Sequence, residues 1–155
     1  MTTQRISTDS LIIGSGLAGL TAALKASRHG KVRLVTKRAL EESNSSYAQG
    51  GIACVSTDED SFDLHVKDTL EAGGGLCNET AVRAIVEAAP ARIQELIDWG
   101  IAFTRRDEVA VDEAAGNAAD GYDLGREGGH SRRRIFHAGD ITGAEVIRVL
   151  CEKVR

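Results

Sequence analysis

The chain has 155 residues, of which 42% are hydrophobic and 27% are charged. This composition is typical of a folded globular domain and too apolar for a disordered chain. A formal net charge of −4 and an aromatic content of 4% argue against nucleic-acid binding, which usually needs basic surfaces and often stacking aromatic rings.

The cysteines and the longest apolar stretch bear on the cellular compartment. Cys54, Cys77 and Cys151 are far apart and show neither CxxC pairs nor zinc-site spacing, so we expect reduced thiols and no metal. The stretch Leu11–Leu24 is too short to span a bilayer, and its glycines argue against a signal peptide. We therefore expect a cytoplasmic protein without membrane or nucleic-acid partners.

The first 36 residues predict a βαβ unit. Residues 9–13 form a β-prone run that stops at Gly14, residues 17–28 are rich in Ala and Leu, and residues 31–36 alternate as a strand does. A strand, a helix and a strand within thirty residues indicate parallel strands joined by a right-handed crossover. The predicted fold class is therefore α/β.

A loop over residues 43–51 separates this unit from further helices. Ser61 is a suitable N-cap for a helix over residues 62–72, which ends at three successive glycines. Its predicted apolar face comprises Phe62, Val66 and Leu70. Asn78 is a suitable N-cap for the next helix, in which Pro90 either introduces a kink or starts a new helix.

The second of these helices continues to Gly100 and is followed by polar, glycine-containing residues 104–125, predicted to be a loop or an irregular hairpin. The apolar face of the helix is predicted to comprise Val82, Ile85, Val86, Ala89, Ile93, Leu96 and Ile97. Thr142 and Glu145 have the spacing of a capping box for a last helix. Its apolar residues are Ile147, Leu150 and Val154.

Residues 14–19 carry the strongest chemical signal. Their sequence, Gly-Ser-Gly-Leu-Ala-Gly, is G-x-G-x-x-G, placed directly after a predicted strand and at the start of a predicted helix. Gly14 permits a tight turn, Gly16 lets the backbone approach a pyrophosphate, and Gly19 lets the helix pack closely on the strand. Since helix N-termini bind phosphates, we predict dinucleotide binding; a tight turn without a ligand is the alternative.

One part of the usual dinucleotide fingerprint is missing. An acidic residue normally follows about 20 residues after the glycines and binds the ribose, but here Thr36 and Lys37 occupy that window, and Glu41 and Glu42 follow too late. Thr36 can hydrogen-bond a ribose hydroxyl, and Lys37 can contact a phosphate. This departure argues against an ordinary NAD enzyme and favours a flavoprotein variant.

Two more segments have compositions that suit a ligand. Residues 43–51 combine small hydroxyls, the amide of Gln49 and two glycines, which suits backbone wrapped around a flavin ring, although a plain surface loop is the alternative. Residues 126–134 contain arginines, which bind carboxylates bidentately, and Glu127, which suits a substrate ammonium; a solvated basic turn is the alternative. His137 and Asp140 are either an acid–base pair or structural.

These motifs occur in one order along the chain. The glycine motif is followed by Thr36-Lys37, the segment 45–53, the segment 126–131, and Arg134-Ile135-Phe136-His137-Ala138 with Asp140 and Thr142-Gly143. In this order they resemble the L-aspartate oxidase family, within the succinate dehydrogenase and fumarate reductase flavoprotein superfamily. The resemblance covers essentially the whole chain, and a Thr/Ser-Lys pair in place of the acid is a mark of that superfamily.

The resemblance implies a Rossmann-like FAD/NAD(P)-binding fold and a bound FAD. The residues that it places against FAD are Gly14, Ser15, Gly16, Leu17, Ala18, Gly19, Lys37, Asn44, Ser45, Ser46, Tyr47, Ala48, Gln49, Gly50 and Gly51. Asn44 stands where succinate dehydrogenases attach FAD through a histidine, so non-covalent FAD is implied. Glu127 stands where those dehydrogenases typically have Phe, and the resemblance assigns it to the ammonium of L-aspartate.

The implied reaction is the oxidation of L-aspartate to iminoaspartate, with hydride transfer to FAD and reoxidation by oxygen or fumarate. This reaction is the first step of NAD biosynthesis through quinolinate, and quinolinate synthase is a candidate partner. Because members of the family are several times longer, we expect residues 1–155 to be the N-terminal part of the FAD-binding domain. The rest of that domain, the capping and C-terminal domains and the catalytic arginine and histidines would lie outside the chain.

Two other functions stay open at this point. One is a fumarate reductase or succinate dehydrogenase type of flavoprotein, which covalent flavin or turnover of succinate would favour. The other is a non-catalytic nucleotide-binding module, which would fold cooperatively as a compact monomer. The expected fragment would instead expose apolar faces, bind FAD weakly and turn over no aspartate alone.

Overall fold

The fold is seen in a computed structural model that describes residues 5–106 and 121–155. The chain forms two compact units, one comprising Met1–Ala48 with Gly143–Arg155, and the other comprising Gln49–Thr142. Within the described residues, no helix is both long enough and apolar enough to cross a membrane.

The first unit is built on the predicted βαβ element. Strand β1 (Ser10–Ile13) pairs in parallel with strand β2 (Val32–Val35), with Ile13 opposite Val35. Helix α1 (Leu17–Ala26) connects them and buries Leu20 and Ala23. The parallel pairing and the order of these elements confirm the α/β prediction, and each element ends within two residues of the predicted bound.

The last helix belongs to the same unit. Helix α4 (Thr142–Val154) buries five apolar side chains, so its buried surface is wider than the predicted stripe, of which Val154 is only partly buried. They are Val146, Ile147, Val149, Leu150 and Cys151. The Gly143 N–H donates to the Ala48 carbonyl over 2.9 Å. The predicted capping residue Thr142 is itself the first helical residue, and its hydroxyl accepts a hydrogen bond from the Ala138 N–H.

The second unit contains two helices and a small sheet. Helix α2 (Phe62–Ala72) begins at Ser61, whose hydroxyl accepts the Leu64 N–H, and helix α3 (Glu79–Asp98) begins at Asn78, whose side chain accepts the Ala81 N–H. Both N-cap predictions are confirmed. Helix α3 is continuous through Pro90, so no new helix starts there.

Two predicted apolar faces need correction. Phe62 is partly exposed at the start of α2, whereas the helix buries His65 and Asp68 beside Val66. In α3, Ile85 is exposed while Val86, Ile93 and Leu96 are buried. Asp68 pairs with a buried arginine described below, a contact that the periodicity of apolar residues along the helix cannot predict.

Three two-residue strands form an antiparallel sheet that the sequence did not predict. Strand β5 (Ile135–Phe136) lies between β3 (Ile52–Ala53) and β4 (Leu124–Gly125). Phe136 packs against Phe103 and Tyr122, with ring centroids 5.6 and 5.5 Å away. A bridge between Arg105 and Tyr122 agrees with the predicted irregular hairpin, of which residues 107–120 lie outside the described residues.

Candidate functional site

An open cleft lies where the two parallel strands end. The Gly14 N–H donates to the Val35 carbonyl over 2.8 Å, which joins the two strand ends. The cleft has a volume of about 640 Å³, and its walls come from three segments: residues 13–16, 35–37 and 42–45. The carboxyl ends of parallel strands are where α/β sheets bind ligands.

The glycine motif makes the turn from β1 to α1 possible. Gly14 has φ +106°, a left-handed conformation that side chains disfavour. A Cβ on Gly19 would lie 3.0 Å from the Gly14 carbonyl carbon and closer still to its oxygen. The tight turn predicted at Gly14 and the close packing of helix on strand predicted at Gly19 are therefore both confirmed.

The start of α1 is suited to an anion. Its N-cap, Gly16, has no side chain to cap the helix, and the first four N–H groups of any α-helix lack partners within the helix. The Leu17 N–H donates to the Ser45 hydroxyl over 3.2 Å, and the first turn of α1 contains no acidic residue. Together with exposed Lys37 in the cleft wall, the positive end of the helix dipole favours a phosphate here.

Two hydroxyls meet at the base of the cleft. Ser15 is buried, and its Oγ lies 3.0 Å from the Thr36 Oγ1, so the residue after the first glycine contacts the residue after β2. Where an acidic residue normally binds the ribose, this chain has the Thr36 hydroxyl, paired with the Ser15 hydroxyl. Glu42, whose carboxylate accepts the Tyr47 hydroxyl over 2.7 Å, is the acidic residue in the cleft wall.

The segment predicted as a loop contains a 3₁₀ turn over Asn44–Tyr47. Ser43 and Ser46 stabilise this turn reciprocally, since the Ser46 hydroxyl donates to the Ser43 carbonyl and accepts the Ser43 N–H. Asn44 and Ser45 lie in the cleft wall. This serine-rich sequence thus forms a regular 3₁₀ turn rather than an irregular loop, because serine side chains can hydrogen-bond the backbone of short turns.

Residues 49–51 belong to the other unit. A Cβ on Gly51 would lie 3.1 Å from the Phe136 carbonyl carbon and closer still to the Phe136 oxygen. Glycine is therefore required at position 51 by its close packing against β5. Gly50 has open space around its Cα, so only Gly50 of this pair has room for a side chain.

The segment 126–134 divides into exposed and buried residues. Glu127 is exposed, and its carbonyl accepts the His130 N–H over 3.2 Å in a turn. Arg132 donates to the Glu59 carbonyl and Arg133 to the Leu124 carbonyl. Arg134, in contrast, is fully buried, so the solvated basic turn considered above is wrong for this residue.

His137 does not pair with its sequence neighbour. Its Nε2 lies 3.6 Å from an Asp123 carboxylate oxygen, whereas Asp140 is exposed. Asp123 directly precedes β4 and His137 directly follows β5, at the same end of these two paired strands. The described contacts favour the structural alternative for His137 over an acid–base pair with Asp140.

The βαβ element, the glycine turn and the anion-suited cleft define a dinucleotide-binding protein. The chain belongs to the FAD binding domain family, which matches residues 9–155. The cleft fits that cofactor, since the backbone N–H groups at the start of α1 and the Lys37 ammonium suit its pyrophosphate. FAD is accordingly the cofactor of this family, and the missing ribose-binding acid does not exclude it.

The chain is similar to curated L-aspartate oxidases. It is 50% identical to L-aspartate oxidase 1 of Ralstonia nicotianae over 147 residues, which are 95% of this chain and 26% of that protein. It is 45% identical to the L-aspartate oxidase of Pseudomonas aeruginosa, over 98% of this chain and 28% of that protein. The chain thus spans about a quarter of the length of the curated relatives it matches.

Solved structures give the same picture of the fold. E. coli quinol fumarate reductase FrdA superposes with a TM-score of 0.83 at 30% identity, over 98% of this chain and 25% of that one. Mycobacterium smegmatis Sdh1 superposes with a TM-score of 0.83 at 32% identity, over 97% of this chain and 24% of that one. These similarities support the Rossmann-like FAD-binding fold.

Proposed function

We propose that this chain is the N-terminal part of the FAD-binding domain of an L-aspartate oxidase. The observation that carries the proposal is the identity of 45–50% to curated L-aspartate oxidases, against 30–32% to the fumarate reductase and Sdh1 chains. The reaction would convert L-aspartate and oxygen to iminoaspartate and hydrogen peroxide, or reduce fumarate to succinate in place of oxygen. Such a reaction would begin NAD biosynthesis through quinolinate.

The residues of the first unit would hold the cofactor. Backbone N–H groups at the start of α1, within residues 14–19, and the Lys37 ammonium would bind the pyrophosphate. Asn44 and Ser45, in the wall of the same cleft, would contact the cofactor with their side chains. The resemblance adds Ser46, Tyr47 and Ala48 in this unit, and Gln49, Gly50 and Gly51 in the other unit. When bound, FAD supplies a two-electron acceptor for the hydride that leaves the substrate Cα.

Glu127 would recognise the substrate. Aspartate differs from succinate by an ammonium group, and an exposed carboxylate binds an ammonium through a charge-assisted hydrogen bond. Glu127 is exposed on its turn and accordingly free to meet a ligand. A carboxylate at this position would therefore favour aspartate over succinate, which offers no cation to it.

The experiment uses this chain in two contexts. In the first, the 155-residue chain is mixed with FAD and L-aspartate, and we expect weak FAD binding without steady hydrogen peroxide production. In the second, the chain replaces the matched segment of the Ralstonia oxidase, and we call this protein the hybrid oxidase. Aspartate-dependent peroxide production by the hybrid oxidase supports the proposal, whereas steady turnover by the chain alone contradicts the fragment assignment.

A fumarate reductase or succinate dehydrogenase type of flavoprotein is the second candidate, favoured by the superpositions at a TM-score of 0.83. Turnover of succinate but not of aspartate by the hybrid oxidase, or covalently attached flavin, would establish it in place of the first. Asn44, whose amide is a poor nucleophile, argues for the first candidate.

A non-catalytic nucleotide-binding module is disfavoured by the sheet. Leu11 and Ile13, both on β1, are 58% and 81% exposed, and Val35 on β2 is also exposed. Parallel sheets are normally covered on both faces, so this face suits further structure of a larger domain. A cooperatively unfolding monomer with tight FAD binding would favour the module.

We further propose a cytoplasmic location and quinolinate synthase as a partner. All three cysteines are free, and burial, followed by the Asp60 charge, raises the pKa of the Cys54 thiol to about 12, so this thiol stays protonated and inert. A similar protein of Arabidopsis thaliana, 44% identical to this chain, is a chloroplastic L-aspartate oxidase. Fractionation of the source cells and co-purification with quinolinate synthase would test both statements.

A further inference from the structure

A buried ion cluster includes the end of segment 126–134, which carries Glu127 and is called the loop below. Arg134 donates to both carboxylate oxygens of Asp60, over 2.7 and 2.8 Å, and to Asp68 Oδ2 over 2.7 Å. The side chains are 0%, 1% and 8% exposed, respectively. One guanidinium faces two carboxylates, so the cluster needs further donors to compensate the second negative charge.

Ser131 supplies those donors. Its backbone N–H and its hydroxyl both donate to Asp68 Oδ2 over 2.8 Å, so three donors from residues 131 and 134 converge on one oxygen. Burial would raise the pKa of Asp68, but the hydrogen bonds from Ser131 and Arg134 outweigh it and hold that pKa below its usual range. Asp68 is therefore a carboxylate that binds the loop to α2.

The turn before Ser131 is held by the same residues. His130 Nδ1 lies 3.3 Å from Arg134 Nη1, and because a guanidinium only donates, Nδ1 is the acceptor in this hydrogen bond. The His130 ring lies 5.5 Å from the His65 ring of α2. Gly129, with φ +81°, lies against the end of α2, where an added Cβ would be 3.4 Å from the Ala72 Cβ.

These contacts fix one end of the loop and leave Glu127 exposed at the other. His130 and Ser131 are tied to α2 and Arg134, while the His130 N–H donates back to the Glu127 carbonyl. The Glu127 backbone is thus one hydrogen bond away from the cluster. A binding carboxylate on an exposed turn needs such support, since a displacement of about 1 Å strongly weakens a charge-assisted contact.

We propose that Asp68, Ser131 and Arg134 are positioning residues, which hold the backbone of the loop so that the Glu127 carboxylate meets the substrate ammonium. This inference rests on the proposed function, because it assigns to Glu127 the ammonium of aspartate. None of the three residues touches the substrate in this scheme. They act through Glu127, and their loss weakens recognition of the ammonium rather than of the carboxylates.

The test is a double-mutant cycle in the hybrid oxidase with Ser131→Ala and Glu127→Gln. Affinities for aspartate and for succinate, which lacks the ammonium, are measured as KM and as competitive inhibition. We expect Glu127→Gln and Ser131→Ala each to weaken aspartate binding, by about tenfold for a lost charge-assisted contact. Succinate affinity and FAD content change by less than about twofold, and the double variant binds aspartate no more weakly than Glu127→Gln alone.

Two further variants serve as controls. Asp63→Asn removes a carboxylate from the same helix, where it is 84% exposed and pairs with Arg83 over 2.9 Å, and should leave both affinities unchanged. Ser131→Thr keeps the hydroxyl and should restore aspartate affinity. If Ser131→Ala does not retain FAD, the cycle is repeated with Asp68→Glu, which keeps the charge but moves the accepting oxygen.

The outcomes separate the two proposals. Additive losses in the double variant, or an equal loss of succinate affinity, overturn the positioning role while leaving the assignment of Glu127 intact. If Glu127→Gln itself changes neither affinity, the substrate assignment under the proposed function has failed, and the positioning role fails with it. The inference is supported if Ser131→Ala weakens aspartate binding when Glu127 is present and has no further effect when Glu127 is replaced by Gln.

Discussion

Replacing Gly19 by Ala tests whether the close packing of α1 on β1 builds the cleft. An added Cβ would lie 3.0 Å from the Gly14 carbonyl carbon, closer still to the Gly14 oxygen, and 3.7 Å from the Ile12 Cγ2. Two of these atoms are backbone, which cannot rotate away as a side chain can. The helix must therefore shift away from the strand and from the turn at Gly14.

The expected cost follows from two opposing effects. Alanine favours a helix interior over glycine by about 1 kcal/mol, while forcing an extra methyl group into a packed interface typically costs about 1–3 kcal/mol, and occasionally more. The clash here is with backbone, so we expect the upper part of that range and a net loss of about 1–2 kcal/mol. Urea unfolding of the 155-residue chain measures the free energy of unfolding. FAD titration followed by flavin fluorescence measures the affinity of the cleft for FAD.

Gly16→Ala is the matched control. Its Cβ would lie 3.3 Å from the Ser45 hydroxyl oxygen, a side-chain atom that can rotate away, so the free energy of unfolding should fall only by the N-cap preference for Gly over Ala, about 0.5–1 kcal/mol. FAD binding should fall in both variants, since residue 16 borders the cleft. A Gly19→Ala chain with unchanged or higher stability would refute the packing argument.

Three further predictions address the buried cluster and the cofactor. Asp60→Ala removes the bidentate partner of the buried Arg134, which still pairs with Asp68, so the free energy of unfolding should fall by about 1.5–3 kcal/mol for the lost charge-assisted hydrogen bonds; a loss near zero in urea unfolding would contradict the described pairing. Burial, followed by the Arg134 and His130 charges, lowers the pKa of His65, so the neutral ring is favoured in the folded chain. The stabilisation is then complete above about pH 6.5 and decreases below it, and His65→Gln should remove this part of the pH dependence; an identical pH profile would argue against it. Because Asn44 cannot attach flavin covalently, acid precipitation of the FAD-loaded hybrid oxidase should leave all flavin in solution, and flavin in the pellet would contradict this.

The sequence predicts the first unit well because its signals are local. A β-prone run, a glycine motif and an Ala-rich helix follow one another, and the parallel pairing of Ile13 with Val35 follows from that order. The N-caps Ser61 and Asn78 are equally local, since each is defined by a side chain and an N–H three residues on. In these elements, propensity, periodicity and caps all favour the same structure.

The small sheet and the buried cluster depend on contacts distant in sequence. Strands of two residues have no alternation to detect, and β5 is defined by partners near residues 52 and 124. Arg134 looks like the last residue of a basic run until Asp60 and Asp68, 74 and 66 residues away, are seen to surround it. The sequence offers one indication that Arg134 is buried, which is that it directly precedes the apolar residues Ile135 and Phe136, both buried.

The contrast between Gly50 and Gly51 shows how the structure narrows a motif to a testable residue. A side chain on Gly51 would overlap β5 whether or not a cofactor is bound, so a loss of FAD binding in Gly51→Ala would not separate packing from cofactor contact. Gly50 has open space around its Cα, and its substitution should leave the fold intact. A loss of FAD affinity in Gly50→Ala at unchanged stability therefore requires a ligand at that position, and it is this residue that tests the flavin contact implied by the resemblance.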